Sequence, residues 1–272
     1  MNNSLFDLSG RTALITGGTG VLGTAMAIGL AREGVKVAVL GRRQEAGDAV
    51  VKQIKANGGE GIFIQADVLD VDALEKANDK MMSLFGRIDI LVNAAGGNMP
   101  GAVIAPDKTF FDLEIPEFEK VVDLNLTGTV LPSKVFAKSM VSNKKGVIIN
   151  IASMSSFRSI TRVVGYSAAK AAVMNFTEWL AIEMAKKFGE GIRVNGIAPG
   201  FFITEQNRNL LTKPEGGYTP RGESAIRNTP FGRFGEPDEL VGTLVWLCSD
   251  ASKFVTGVTV PVDGGFNAFC GV

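Results

Sequence analysis

Histidine is absent from this 272-residue chain. Its absence excludes Ser-His-Asp and Cys-His nucleophilic catalysis and most zinc chemistry. Cysteine is scarce, and Cys248 and Cys270 offer neither a disulfide framework nor a metal-ligand spacing, so no metal is expected. Excess charge is missing too: 28 basic residues meet 28 acidic ones. Nothing in that balance suggests a nucleic-acid partner. No apolar run approaches the about 20 residues that span a bilayer, so no membrane partner is expected. The first fifteen residues carry Asp7 and Arg11 and lack a basic head before an apolar stretch. That argues against a secretory leader and for a soluble cytoplasmic protein. Repeats and low-complexity linkers are also lacking, and the length suits one α/β domain spanning residues 1–272.

Glycine, by contrast, is plentiful at 33 residues, which implies many tight turns and close backbone approaches. Short apolar runs recur at Leu14-Ile15, Val35–Leu40, Gly61–Ile64, Ile88–Val92, Gly146–Ile151, Ile192–Ile197 and Val258–Val260. Between them lie helical patterns, roughly Leu22–Arg32, Ala46–Asn57, Val71–Phe85, Ile115–Ser142, Ser167–Phe188 and Pro237–Leu247. This alternation predicts an α/β fold, a Rossmann-like doubly wound parallel sheet of about seven strands with helices on both faces. The alternation lapses over 201–237, where prolines and glycines cluster after a strand end. An irregular excursion there suits a substrate loop or lid, with a surface decoration as the plain alternative.

Thr16-Gly17-Gly18-Thr19-Gly20-Val21-Leu22-Gly23 joins the first strand to the first helix. Glycines in that place admit a pyrophosphate to the helix N-terminus, which predicts dinucleotide binding. Arg42 and Arg43 follow the second strand, and no acid stands at Leu40 or Gly41 for a ribose diol. An arginine there can pair with a 2′-phosphate and so favours NADP; backbone contacts to NAD are the other reading. Asp67-Val68 ends the third strand, where the carboxylate can accept from an adenine amine. Asn93-Ala94-Ala95-Gly96 ends the fourth, with side chains small enough for a cofactor to lie on the sheet edge.

Tyr166 and Lys170 are four residues apart, and Ser153 lies thirteen upstream of the tyrosine. A phenol loses its proton near pH ~10, and a neighbouring ammonium favours the phenolate. Residues i and i+4 share a helix face, so Tyr166 is expected to exchange a proton near neutral pH. Ser153, at a strand end, can hold the reacting oxygen, with Ser155 and Ser156 as rivals. Asn125 can anchor a water beside Lys170 as a relay, or simply satisfy a helix backbone. Lys170 can also bond the nicotinamide ribose, and Thr204, beyond Pro199-Gly200, its carboxamide. These groups suit interconversion of an alcohol and a ketone.

The glycine turn, Asn93-Ala94-Ala95-Gly96, Asn125, Ser153, Tyr166, Lys170 and Pro199-Gly200 stand in an order that resembles the extended family of short-chain dehydrogenases/reductases. The resemblance covers nearly the whole chain and implies hydride transfer at a nicotinamide, with Tyr166 as acid/base, Ser153 on the oxygen, and Lys170 with Asn125 in a relay. It also implies a homotetramer with Ile115–Ser142 and Ser167–Phe188 in one interface. One departure is visible: the family's middle glycine falls where this chain has Val21, with glycine at Gly20 instead. Gly96–Gly101, Phe201–Arg208 and Thr229–Gly235 further resemble the family's sugar-acid branch, the D-mannonate oxidoreductases (fructuronate reductases) of the short-chain type. That likeness implies reduction of D-fructuronate to D-mannonate and tips the cofactor, NAD or NADP, slightly toward NAD. Asn98, Arg158, Arg162, Gln206, Asn207, Arg208 and Arg221 are the polar loop residues suited to an acidic polyol, with Arg158 and then Arg208 first for its carboxylate. Gluconate 5-dehydrogenase or another keto-uronate reductase, a 3-ketoacyl carrier protein reductase, and a dinucleotide-sensing scaffold are the rival readings.

Overall fold

A computed structural model describes residues 5–205 and 207–271. Gln206, one of the polar loop candidates, lies outside the described residues. Seven parallel strands form one sheet in the order β3-β2-β1-β4-β5-β6-β7. They are β1 Thr12–Thr16, β2 Lys36–Gly41, β3 Gly61–Gln65, β4 Ile90–Asn93, β5 Gly146–Ile151, β6 Ile192–Pro199 and β7 Thr259–Val262. The doubly wound sheet expected from the sequence is therefore present. All residues of β1, β4, β5 and β6 are buried, which is why they read as continuous apolar runs rather than alternating ones. The edge strand β7 is half-exposed and carries Pro261, a residue that an edge tolerates.

Helices cover both faces. α1 Val21–Arg32, α2 Gln44–Ala56 and α9 Val241–Cys248 bury Met26, Leu30, Ile54 and Leu244 against Ile15 and Val39. On the other face α3 Val71–Phe85, α5 Gly128–Ser142 and α6 Val164–Phe188 bury Leu74, Met81, Phe136 and Leu180 against Leu14, Leu40 and Leu91. Each such side chain contributes roughly 1.5–3 kcal/mol by leaving water, so stability resides in these two layers. The carboxyl ends of the strands are left free for small and polar residues.

Three expected helices are drawn differently. The helix expected over Ile115–Ser142 is α4 Ile115–Val122, a π-helical turn at Asp123–Thr127, and then α5. Gly128 N–H reaches back to Asp123 O, five residues away, and Pro132 lies inside α5 without an N–H to donate. The helix expected from Ser167 begins at Val164, so Tyr166 falls in its first turn. The helix expected over Pro237–Leu247 starts as a 3₁₀ turn, Pro237–Leu240, before α9. The 201–237 excursion contains α7 Arg208–Leu211 and α8 Pro220–Arg227. It has its own small core, where Leu211, Ala225 and Phe234 pack with Phe201 and Ile203. Tyr218 meets Phe234 edge-on, with ring centroids 5.2 Å apart.

Candidate active site

β1 pairs with both β2 and β4, so the crossovers run in opposite directions from that point. Such a switch leaves a crevice beyond the strand carboxyl ends. Here it is a cleft of about 550 Å³ floored by the ends of β1, β2, β4 and β5 and roofed by the excursion. The glycine turn enters it first. Gly17 has φ +63°, and a Cβ there would lie 2.6 Å from Ala95 Cα, so backbone passes backbone with no room for a side chain. Gly20 is the N-cap of α1 and supplies no side-chain cap, which leaves the first N–H groups of the helix facing the cleft. Val21 is merely the first helical residue and needs no special backbone angle, so the departure from the family's glycine spacing is absorbed.

Gly17, Thr19, Gly20, Val21, Leu22 and Gly23 line the cleft; Thr16 and Gly18 do not. Thr16 is fully buried, and its hydroxyl oxygen accepts from the N–H groups of Ala94 and Ala95 at 3.2 and 3.3 Å. Gly18 is pressed on β2, where a Cβ would come within 2.9 Å of Val39. Both therefore shape the turn from behind. Arg42, Arg43, Asp67 and Val68 form the far wall. The Asp67 carboxylate accepts from Leu69 N–H at 3.0 Å and stands 3.8 Å from the exposed Arg42 guanidinium.

Ala94, Ala95, Gly96 and Asn98 also line the cleft, but Asn93 lies beneath it. Asn93 donates to Ser133 Oγ and Asn150 Oδ1, both at 2.9 Å. Asn150 in turn donates to Thr177, and Ser133 to the carbonyl of Thr129. This buried polar ladder ties β4 and β5 to α5 and α6, a structural use that corrects the reading of Asn93 as a cofactor contact.

Ser153, Tyr166 and Lys170 meet in the cleft. The Ser153 hydroxyl accepts from Ser155 N–H at 3.2 Å and is near enough to the Tyr166 phenol to favour its ionised form. The Ser156 hydroxyl donates to the Lys170 carbonyl at 2.7 Å, which removes it as a rival to Ser153. Lys170 is 4% exposed, and its ammonium donates to Ile151 O at 2.6 Å. The ammonium lies 5.7 Å from the centroid of the Tyr166 ring. Burial brings the Lys170 pKa down to about 8. The expected acidification of Tyr166 is not what its surroundings favour: burial raises its phenol pKa, and Ser153 offsets this in part. A short spacing in sequence cannot reveal this, because desolvation acts on both groups and disfavours both charged forms.

Asn125 sits behind this group in the π-helical turn, fully buried. Its amide donates to Gly97 O at 2.7 Å and Val121 O at 2.8 Å, and its oxygen accepts from Gly97 N–H at 3.1 Å. Both amide protons are thus spent, which leaves no donor for the expected relay water. A Cβ at Gly96 would fall 2.7 Å from Asn125 Oδ1 and 3.2 Å from Lys170 Nζ, which places the amide as a spacer for that strand end.

Pro199, Gly200 and Thr204 line the cleft. Asn207 is occupied locally: it accepts from Thr204 N–H and donates to Phe202 O, both at 2.8 Å. Arg158 and Arg208 are exposed and do not line the cleft. Arg158 is committed to Asn267, donating to its side-chain oxygen at 3.1 Å and to its carbonyl. Arg162 and Arg221 occupy the cleft instead. Sequence reasoning missed the apolar wall of Val103, Ile160 and Val163, which comes from irregular segments without periodic signal.

With this geometry in view, similarity to known proteins is informative. Residues 11–215 match the family model for short chain dehydrogenase. An uncharacterized oxidoreductase, UxuB, of Bacillus subtilis is 48% identical, with 98% of each chain covered. A 3-oxoacyl-[acyl-carrier-protein] reductase of Synechocystis is 38% identical, covering 96% of this chain and 99% of the relative. A 2-dehydro-3-deoxy-D-gluconate 5-dehydrogenase of Formosa agariphila is 36% identical, covering 100% and 98%. Among solved structures, one from Haemophilus influenza with bound NAD, provisionally assigned as a D-mannonate oxidoreductase, is 42% identical with a TM-score of 0.91 and 98% coverage of both chains. By its fold, its cleft and these likenesses, the chain belongs to the short-chain dehydrogenase family.

Proposed function

We propose that this enzyme interconverts a secondary alcohol and a ketone of a sugar acid, with D-mannonate and D-fructuronate as the foremost pair. The observation that carries the chemistry is the convergence of Ser153, Tyr166 and the buried Lys170 ammonium in one cleft with the uncapped start of α1. The residues fit a dinucleotide. The free N–H groups of α1 suit a pyrophosphate, and a Cβ at Gly20 would meet just Gly17 O, at 3.4 Å, so its absence keeps the space above them open. When bound, the nicotinamide supplies or accepts the hydride.

This chain's residues do the rest. In the reductive direction the Tyr166 phenol gives its proton to the ketone oxygen, which the Ser153 hydroxyl steadies by a hydrogen bond. Burial keeps that phenol protonated through the neutral range, as a donor needs. The Lys170 ammonium then stabilises the phenolate left behind. NAD is the favoured cofactor, since Arg42 already has a carboxylate beside it in Asp67, and NADP is the second choice. The same reading makes the chain one cytoplasmic catalytic unit, with 201–237 as its substrate roof, that assembles as a homotetramer.

The sugar-acid assignment draws on the similarity to the Haemophilus influenza structure. Likeness to the 3-oxoacyl reductase supports an acyl-carrier reading as the alternative. A screen of D-fructuronate, 5-ketogluconate, 2-dehydro-3-deoxy-D-gluconate's 5-keto form and a 3-ketoacyl thioester, each with NADH and NADPH, decides between them. Best turnover of D-fructuronate with NADH is the expected result. Turnover confined to the thioester would sink the sugar-acid reading.

A further inference from the structure

We propose that Arg162 and Arg221 form the clamp for the substrate's carboxylate, which deepens and rests on the sugar-acid reading above. The two side chains come from different elements. Arg162 is in the segment between β5 and α6, four residues before Tyr166, and Arg221 is in the first turn of α8 in the excursion. Both line the cleft that holds Ser153 and Tyr166.

Arg162 has φ +77°, a left-handed conformation that residues with a side chain rarely adopt. The fold holds it there from two sides. The Arg162 carbonyl accepts from Ile104 N–H at 2.9 Å. Arg221 donates to the hydroxyl and the carbonyl of the adjacent Thr161, each at 3.2 Å. Such an enforced backbone angle is characteristic of sites where a side chain must be aimed. The Thr161 contacts also set the spacing between the two arginines, because they bind α8 to the residue next to Arg162.

Among the described residues neither guanidinium belongs to an ion pair. Two acids line the cleft: Asp67 stands beside Arg42 on the far wall, and Glu205 is exposed and pairs with neither arginine. Partial burial and the like charge of Arg162 both press on the Arg221 guanidinium, so the pair is close enough to interact. Two cations held together without a counter-ion are an unfavourable arrangement that an incoming carboxylate relieves. A planar carboxylate offers two oxygens to the donors that remain. An uncharged polyol ketone gains little from them. The clamp therefore selects the acid over the sugar of the same skeleton.

The test compares Arg162→Gln, Arg221→Gln and Arg162→Lys with the wild-type enzyme loaded with NADH. KM for D-fructuronate is expected to rise roughly ten- to hundredfold in the two Gln variants, the usual worth of a charged hydrogen bond. The Lys variant should recover part of the loss. D-fructose, the uncharged analogue, should be turned over or bound by all variants about as by wild type. Calorimetric affinity for D-mannonate should fall in step with KM, while NADH affinity stays constant. An unchanged KM in both Gln variants would overturn the clamp while leaving the functional reading intact. So would an equal loss for D-fructose, which would mark general damage, or a KM effect that appears in Arg158→Gln or Arg208→Gln instead. A wild-type enzyme that neither reduces keto sugar acids nor binds D-mannonate would sink the functional reading itself, and the clamp with it.

Discussion

Lys170 is a cation with almost no contact with water, held on the Ile151 carbonyl at 2.6 Å. Its pKa lies at about 8, against 10.5 for the free side chain, because burial penalises the charge. The folded value is the lower one, so the unfolded chain binds more protons between these values. The burial penalty is in full force below pH about 8, and folding stability gains from this group as pH rises toward 10.5. Urea denaturation at several pH values should show that gain, and it should vanish in Lys170→Met. Catalysis should run the other way: reductive kcat/KM falls as pH rises through about 8, where the ammonium that supports the phenolate is lost. A flat profile across that range would mean that Lys170 does not support proton transfer. Tyr166→Phe should lower kcat by about 10² or more and leave the NADH Kd nearly unchanged. At this scale the sequence displayed which groups meet but not how they titrate. The spacing of Tyr166 and Lys170 is a property of the helix, while desolvation depends on what the rest of the chain places around them. The arginines show the same limit. Four lay in loops of similar composition, and the fold sent Arg158 to the C-terminal segment and Arg162 to the cleft.

At the scale of elements, the π-helical turn between α4 and α5 is the informative case. The apolar periodicity of Ile115–Ser142 reads as one helix, because one widened turn hardly disturbs a pattern with a 3.6-residue period. What it does is bring Asn125 inward, where its amide holds Gly97 and Val121. Asn125→Ala would leave two carbonyls and one N–H buried without partners. A loss of about 2–4 kcal/mol in unfolding free energy is expected, with a parallel fall in kcat because Gly96 is released beside Lys170. Loss of activity with undiminished stability would instead favour a direct proton-relay role for the amide. α6 also starts three residues before Ser167, since Val163 is an N-cap without a capping side chain and leaves no start signal in the sequence. Strands were easier to read, because full burial on both faces writes an unbroken apolar run.

For the molecule as a whole, the proposed tetramer has a visible correlate. Trp179 and Ile182 are 58% and 57% exposed on α6, one turn apart, and Phe188 is exposed at its end. Sedimentation velocity should give a single species of four chains, and Trp179→Glu with Ile182→Glu should shift it to smaller ones. A wild-type monomer would remove the assembly from the reading. The far edge of the sheet is secured separately. The buried Arg193 on β6 donates to the carbonyls of Leu247 and Ser249 at 2.8 and 3.0 Å, fixing the end of α9. No residue pattern announces such a use of arginine, since its partners, three backbone carbonyls and the Ser252 hydroxyl, lie more than fifty positions away.

The lacing between β5 and α6 has a consequence for the catalytic cycle. Lys170 grips the last carbonyl of β5 while Ser156, just past that strand, grips the carbonyl of Lys170. These two opposed bonds close a loop through the proton-handling residues that does not depend on any bound molecule. Departure of product leaves that half of the machinery assembled for the next encounter. On the other side of the cleft the Thr161–Arg221 contacts tie the 201–237 segment to the stretch that leads into α6.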